Sequence, residues 1–354
     1  MSQDSPPPDS PQPPTIAVDA MGGDHAPAEI VAGAIAAVAG HGMSVVLTGR
    51  PSQLRPLLNA HEGGGDIRVA PADELVAMDE GALASWRRPR SSVAVACQLV
   101  RRGQAAAVVS AGSTAGIVAT ARLRLRSLPG LLRPGLAVAL PTGPKPTLLV
   151  DAGAIADPKP EMMLQFAQLG VAYAQVAYGV EDPRVGLLTI GAEPLKGNKL
   201  ARRAHELLAA PHGGLPIRFT GNIEGSDLLA GKVDVVVTDG FTGNVALKTI
   251  EGAGEFATGL IRTAFQGSAA ARFGTLFQRR ALHELAGRMD AETYGGAALL
   301  GLEGTVVIAH GGSKAKGIAS ACRLAADLAR GHITERIRER LGPSHRPGHF
   351  LRRQ

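Results

Sequence analysis

Aromatic side chains are scarce in this chain: 3% of its 354 residues, with one Trp, three Tyr and eight Phe. Proteins that bind single-stranded nucleic acid interleave stacking aromatics with basic residues, and only Trp86-Arg87-Arg88-Pro89-Arg90 has that composition. Nucleic acid is therefore not expected as a partner. Cysteine is rarer still. Cys97 and Cys322 sit in Ala-rich, helix-like stretches without metal-ligand spacing, which argues against a disulfide scaffold or a cysteine-held metal. They read as buried, reduced thiols of a cytoplasmic protein. No run is long and apolar enough to span a bilayer, because Ile30–Leu47 is broken by Gly40-His41-Gly42. Several catalytic fingerprints are missing: G-x-x-x-x-G-K-[ST], G-x-G-x-x-G after the first strand, H-E-x-x-H and G-x-S-x-G. These gaps count against nucleotide hydrolysis, dinucleotide binding by that fingerprint, zinc hydrolysis and α/β-hydrolase chemistry.

What is present is aliphatic and glycine-rich. Hydrophobic residues make up 45% of the chain and charged ones 19%, so Ala, Val, Leu and Ile must build a large core. The net charge of +6 favours an anionic partner or membrane surface. Residues 1–14 hold six prolines and no core material, and they lack the basic-then-apolar pattern of a secretion signal. They are expected to be a disordered tail, as is the basic stretch 343–354. Between them, strand-like runs alternate with Ala-rich helical stretches: Thr15–Val18, Val45–Thr48, Ala106–Ser110, Gly135–Leu140, Thr147–Asp151, Val185–Ile190, Ile217–Thr220, Val233–Thr238 and Thr305–Ala309. Several are continuous apolar runs, as strands covered on both faces should be. The pattern predicts an α/β fold over residues 15–342, a single domain with a doubly wound, mostly parallel sheet flanked by helices.

Small polar clusters follow these runs, where an open α/β sheet builds its ligand site. Asp19-Ala20-Met21-Gly22-Gly23-Asp24 follows the first strand; its glycines let backbone N–H groups approach an anion, and Pro27 suits the first turn of a helix. Ser110-Ala111-Gly112-Ser113-Thr114 offers hydroxyls without charge, for phosphate binding or for simple N-capping. Asp151-Ala152-Gly153 precedes Lys159-Pro160-Glu161, and Lys196-Gly197-Asn198-Lys199 follows another strand. Asp239-Gly240-Phe241-Thr242-Gly243-Asn244 carries the most specific pattern, with Asn244 and Lys248 one helical turn apart on one face.

Residues 254–289 read as helical throughout, an expected protruding hairpin. Phe273, Leu276 and Phe277 share a helix face there, near Arg272, Arg279 and Arg280. Such a tip suits packing against a partner subunit, contact with an anionic membrane surface, or both.

In chain order, Asp19–Asp24, Lys159-Pro160-Glu161, Gly221-Asn222-Ile223-Glu224-Gly225, Asp239–Asn244 and Ala309-His310-Gly311 resemble the signature blocks of the PlsX family of bacterial acyl-ACP:phosphate acyltransferases. The resemblance spans about Ile16 to Leu328. It departs at Ser113 (usually Asn), Ala115 (usually Gly), Pro89-Arg90 (usually Lys-Asp) and Lys314. It implies transfer of a fatty acyl group from acyl carrier protein to inorganic phosphate, giving acyl phosphate for phospholipid synthesis without a cofactor or metal. It also implies a fold similar to phosphate acetyltransferases and isopropylmalate dehydrogenases, a homodimer and peripheral membrane association. A membrane glycerol-phosphate acyltransferase is implied as a further partner.

On this reading Asp239, Asn244, Lys248 and His310 are the candidate catalytic residues. Asp19, Gly22, Gly23, Asp24, Gly112, Ser113, Thr114, Lys159, Asn222, Glu224, Gly240, Gly311 and Ser313 are the candidate substrate-binding residues. Phosphate would attack the thioester directly, Lys248 and the glycine N–H groups would stabilise charge, and His310 or Asp239 would manage protons. Arg87, Arg88 and Arg90 are candidates for carrier docking. The competing readings are a short-chain, coenzyme A-dependent phosphate acyltransferase and a non-catalytic peripheral membrane scaffold.

Overall fold

Short aliphatic runs bounded by glycine and polar turns form eleven strands: β1 (Thr15–Asp19), β2 (Ser44–Gly49), β3 (Arg68–Pro71), β4 (Ala107–Ser110), β5 (Gly135–Leu140), β6 (Thr147–Val150), β7 (Arg184–Leu188), β8 (Arg218–Ile223), β9 (Val235–Val237), β10 (Ala297–Leu300) and β11 (Thr305–Ile308). The computed structural model describes residues 13–74, 87–143, 145–211, 215–266 and 294–342, with backbone alone at 262 and 264–266. Most of the expected tails lies outside the described residues, as does the hairpin tip with Phe273, Leu276 and Phe277. Pro14, read as tail, already belongs to the fold, since its carbonyl accepts the Ser44 N–H.

All eleven strands join one sheet, in the order β3-β2-β1-β4-β11-β10-β5-β6-β9-β7-β8. Seven pairings are parallel and three antiparallel, so the expected mostly parallel α/β sheet is found. The antiparallel steps are β11–β10, β10–β5 and β5–β6, at the centre. Three reversals leave the outer halves running in opposite senses. Each step also twists the sheet by about 20–25°, or roughly 100–125° over the five steps from β4 to β9. Reversal and twist together turn the strand ends of both halves toward one cleft.

Two strands, β3 and β10, are absent from the runs read off the sequence. β3 starts on Arg68, ends on Pro71 and is only half-buried, as an edge strand can be. β10 is Ala-Ala-Leu-Leu, a composition equally at home in a helix.

The helices are α1 (Ala28–His41), α2 (Pro51–Asn59), α3 (Ser92–Arg101), α4 (Thr114–Leu125), α5 (Pro160–Tyr178), α6 (Lys199–Ala209), α7 (Gly240–Gln266), α8 (Ala315–Arg330) and α9 (Ile333–Leu341). One face of the sheet is covered by α1, α2, α5, α6, α8 and α9. The other carries α3, α4 and α7 among the described residues. α3 and α4 pack over the first half and α7 over the second, which leaves β5 and β10 as the floor of a gap between them. Local signals fix the helix ends: Pro160 starts α5, and Gly179 closes it in the left-handed conformation. Cys97 and Cys322 lie on the buried faces of α3 and α8, where burial pushes both thiols up to about 12 and keeps them protonated.

Gly33 lets α1 lie directly on α8. A Cβ there would stand 2.6 Å from Ile318 Cβ and 2.7 Å from the Ala315 carbonyl oxygen. Alanine would gain about 1 kcal/mol of helix propensity, whereas overpacking costs about 1–3 kcal/mol. Gly33→Ala is therefore expected to lower the urea midpoint of unfolding; a raised midpoint would contradict this packing.

Candidate active site

β1, β4 and β11 are neighbours and parallel, so their carboxyl ends form one wall. Asp19 is buried at the end of β1, accepting Ser110 Oγ at 2.6 Å and the Met21 N–H at 3.1 Å. Burial pushes its carboxyl above the usual range, and the bonds from Ser110, Ser92, Met21 and Gly22 pull it back. These bonds fix the turn that follows. A Cβ on Gly22 would lie 2.7 Å from Asp19 Oδ2 and 2.9 Å from Gly112 N, so the two glycine backbones touch and only glycine fits. Gly23 has φ 111°, and Asp24 donates its N–H to the Gly311 carbonyl at 2.9 Å. Thus Asp19, Gly22, Gly23, Asp24, Gly112 and Gly311 come together as one nest. His310 joins it: its Nδ1 accepts the Gly312 N–H at 3.2 Å, which leaves Nε2 to carry the proton of the neutral ring. Ser113 is the N-cap residue of α4, yet its hydroxyl makes no capping bond.

The second wall is organised by Asp151, buried at the end of β6. Its Oδ1 accepts the N–H groups of Leu136 (2.9 Å), Gly153 (3.2 Å) and Ala154 (3.0 Å), and Oδ2 that of Ile155 (2.7 Å). Burial raises its pKa and the four backbone donors oppose the rise. The first turn of α7 sits on this loop with no space between. A Cβ on Gly240 would be 2.7 Å from Asp151 Oδ2, and one on Gly243 only 2.0 Å from the Asp151 carbonyl. Asn244 is thereby set against Gly153, whose added Cβ would lie 3.4 Å from Asn244 Oδ1. Lys248, a turn further, pairs with Glu251 at 2.7 Å. Asp239 has both oxygens engaged by Thr242, at 2.8 Å from its N–H and 2.8 Å from its hydroxyl. It caps α7 in this geometry instead of facing the cleft.

Both walls line a cleft of about 1810 Å³. Of the residues predicted from sequence, Thr114, Gly240, Asn244, Lys248, His310 and Ser313 line it. Asp19, Gly22, Gly112 and Ser113 line a side cavity of about 10 Å³, with Ser92. That is room for roughly one water. The floor is apolar: Leu136, Val138 and Leu140 of β5, Ala297 and Ile308, between Val118 and Ala119 of α4 and Leu247 and Ile250 of α7. Gly23, Asp24 and Gly311 stand behind the first wall and Asp239 caps α7, and three further predicted residues lie away from the cleft. Lys159 is an exposed N-cap of α5, Asn222 is held by His205 (2.8 Å) and the Glu193 carbonyl (2.7 Å), and Glu224 caps a turn with Asp227. Asn222 and Glu224 belong to the end of edge strand β8, far from the floor, and Lys159 lies at the far end of the loop after β6. Asp151 is the residue missed by sequence reasoning. Its position at a strand end before Ala-Gly was visible, but not its four donors.

The sheet defines an α/β fold with counterparts among solved structures. A phosphotransacetylase from Streptococcus pyogenes superposes with a TM-score of 0.61 at 17% identity, covering 90% of this chain and 94% of that one. Residues 14–336 match the family described as Fatty acid synthesis protein. The phosphate acyltransferase of Thermobifida fusca is 64% identical over 96% of this chain and 95% of its own length. That of Gloeobacter violaceus is 43% identical over 92% and 96%. The chain belongs to this PlsX family and is an acyltransferase.

The raised pKa of Asp19 has a stability consequence. The folded state binds the Asp19 proton more tightly than the unfolded chain does, whose value is near 3.8. Stability from this group is then lost as pH rises above about 4 through the folded value. The advantage of the wild type over Asp19→Asn in urea unfolding should be larger at pH 4 than at pH 7. Equal differences at both pH values would refute the shift.

Proposed function

We propose that residues 15–342 act as one catalytic unit that moves a fatty acyl group from acyl carrier protein to inorganic phosphate, yielding acyl phosphate for phospholipid synthesis. The observation that carries this reading is the cleft itself. An apolar floor able to hold an alkyl chain runs between a glycine–hydroxyl wall and the Asn244–Lys248 face. The names of the 64% and 43% identical relatives, both phosphate acyltransferases, support it.

In the proposed reaction a phosphate oxygen attacks the thioester carbonyl carbon, the C–S bond breaks, and the thiolate leaves and takes a proton. Phosphate would rest in the cleft at the N-terminus of α4, on the Thr114 hydroxyl with Ser113 beside it. Asn244 and Lys248 would stabilise the oxyanion, Lys248 after exchanging Glu251 for substrate. The proton lost by the attacking hydrogen phosphate would pass to the leaving sulfur, with His310 as the relay, so that the ring ends neutral as it began. The volume and apolar floor favour a long acyl chain over the short-chain, coenzyme A-dependent alternative.

We propose further that the enzyme is a cytoplasmic homodimer held peripherally on anionic membrane. Phe256 and Leu260, exposed on the outer half of α7, support a copy-to-copy contact there. No helix among the described residues is long and apolar enough to cross a membrane. Product would pass to a membrane glycerol-phosphate acyltransferase.

The deciding assay mixes purified protein, acyl carrier protein loaded with a long acyl chain, and phosphate, and follows free carrier thiol. Release that depends on phosphate is expected; release without phosphate, or none, would sink the reading. Asn244→Ala and Lys248→Ala should each lower acyl-phosphate formation by about 10²–10³-fold, the scale of losing one oxyanion donor. Ala119→Phe, which fills the floor, should reduce turnover of long acyl chains more than short ones, measured as the ratio of kcat/KM values.

A further inference from the structure

The second half-sheet has a rim whose chemistry the cleft does not use. Loops after β6, β7 and β9 leave the same end of adjacent, parallel strands. Ile190 and Leu195, in the loop after β7, are 83% and 82% exposed, and Phe241, opening α7, is 67% exposed. One exposed aliphatic residue is ordinary, but three large ones at one sheet end form a patch. The β7 loop is built to hold them outward. Thr189 Oγ1 donates to the Gly191 carbonyl at 2.6 Å, and Lys196 N–H to the Glu193 carbonyl at 3.0 Å. The same Glu193 carbonyl accepts Asn222 Nδ2 at 2.7 Å, so Asn222 props the loop from β8.

Lys196 and Lys199 flank this patch and Lys159 faces the same end; none has an acidic partner within ion-pair distance among the described residues. Of the carboxylates at this end, Glu193 lies in the same loop, Asp157 and Glu161 flank Lys159 in sequence without pairing to it, Glu224 caps its own turn, and Asp239 is spent on Thr242. In contrast, Arg90 of the sequence's compact basic run is paired with Glu74. The rim is also continuous with the cleft, because Phe241 lines both.

We infer that the rim of Ile190, Leu195, Lys196, Lys199, Lys159 and Phe241 is the docking surface for an acidic protein that carries the acyl thioester. This rests on the acyl-carrier reading above and locates where that partner sits. Apolar side chains ringed by unneutralised lysines match an acidic helix with an apolar stripe. Docking there places the carrier's thioester arm at the Phe241 mouth of the cleft. It also moves the docking surface from Arg87–Arg90, where the sequence alone directs attention, to the opposite half of the sheet.

The test uses the full chain with two double variants, Lys196→Glu/Lys199→Glu and Ile190→Ser/Leu195→Ser, checked for unchanged urea midpoints. Steady-state turnover is measured with acyl carrier protein and phosphate, and binding of the unacylated carrier by calorimetry. Docking on this rim predicts that KM for the acyl carrier rises at least tenfold while kcat at saturation stays within twofold. Carrier binding should weaken in parallel, and wild-type binding should weaken with added salt. An unchanged KM overturns the proposal. So does a KM change accompanied by loss of the dimer, which makes the rim a copy-to-copy interface, or an effect confined to binding of phosphatidylglycerol-containing vesicles. Should the wild type itself form no acyl phosphate from the acyl carrier, the functional reading fails first, and that result is separable from a failed rim.

Discussion

The buried carboxylate of Asp151 and its four backbone N–H donors tie together parts of the chain that would otherwise have no reason to meet. One donor comes from Leu136 at the start of β5 and three from the loop that follows β6. The first turn of α7 then lies on that loop at backbone contact, at Gly240 and Gly243. A buried carboxylate without partners would be costly, while hydrogen bonds to a charged group contribute about 1.5–3 kcal/mol each. The chain supplies donors from main chain alone, so the loop, strand and helix are fixed to one another without spending a side chain. The position of Asn244 and Lys248 over the cleft follows from that.

Asp19 serves the first half in a related way, with hydroxyls from Ser110 and Ser92 added to main-chain donors. Both carboxylates stand behind the cleft walls and shape the glycine turns there. The cleft between them exists because the central antiparallel strands lack a helix on one face among the described residues. Leu136 and Leu140 are buried and Val138 partly so, and together they line the bottom of this gap, an apolar floor suited to an alkyl chain with polar groups on both walls.

Much of this was legible in the sequence where the signal is local. Runs such as Thr147–Val150 and Val235–Val237 are buried on both faces and read directly as interior strands. The glycines of Asp19–Asp24 mark a turn that the structure shows no other residue could occupy at position 22. Strand direction, however, is not a local property. The three antiparallel steps at the centre leave no trace in composition, so strand-end clusters could be found but not assigned to opposite halves. The same gap explains why Asn222, Glu224 and Lys159 look equivalent to Asn244 in sequence yet sit along the rim. Asp239 and Lys248 show a second limit. Their engagement by Thr242 and Glu251 three residues on is readable only once the helix start is known.

The central claim is that phosphate and thioester meet between the two walls, with the acyl chain on the β5 floor. A crystal structure of the protein soaked with a long-chain acyl phosphonate, which resists hydrolysis, tests it most directly. The phosphonate is expected between the α4 N-terminus at Thr114 and the Asn244–Lys248 face, and the chain along Leu136, Val138 and Leu140. Density for the phosphonate at Lys159, Asn222 or Glu224, or a chain lying outside the cleft, would contradict it.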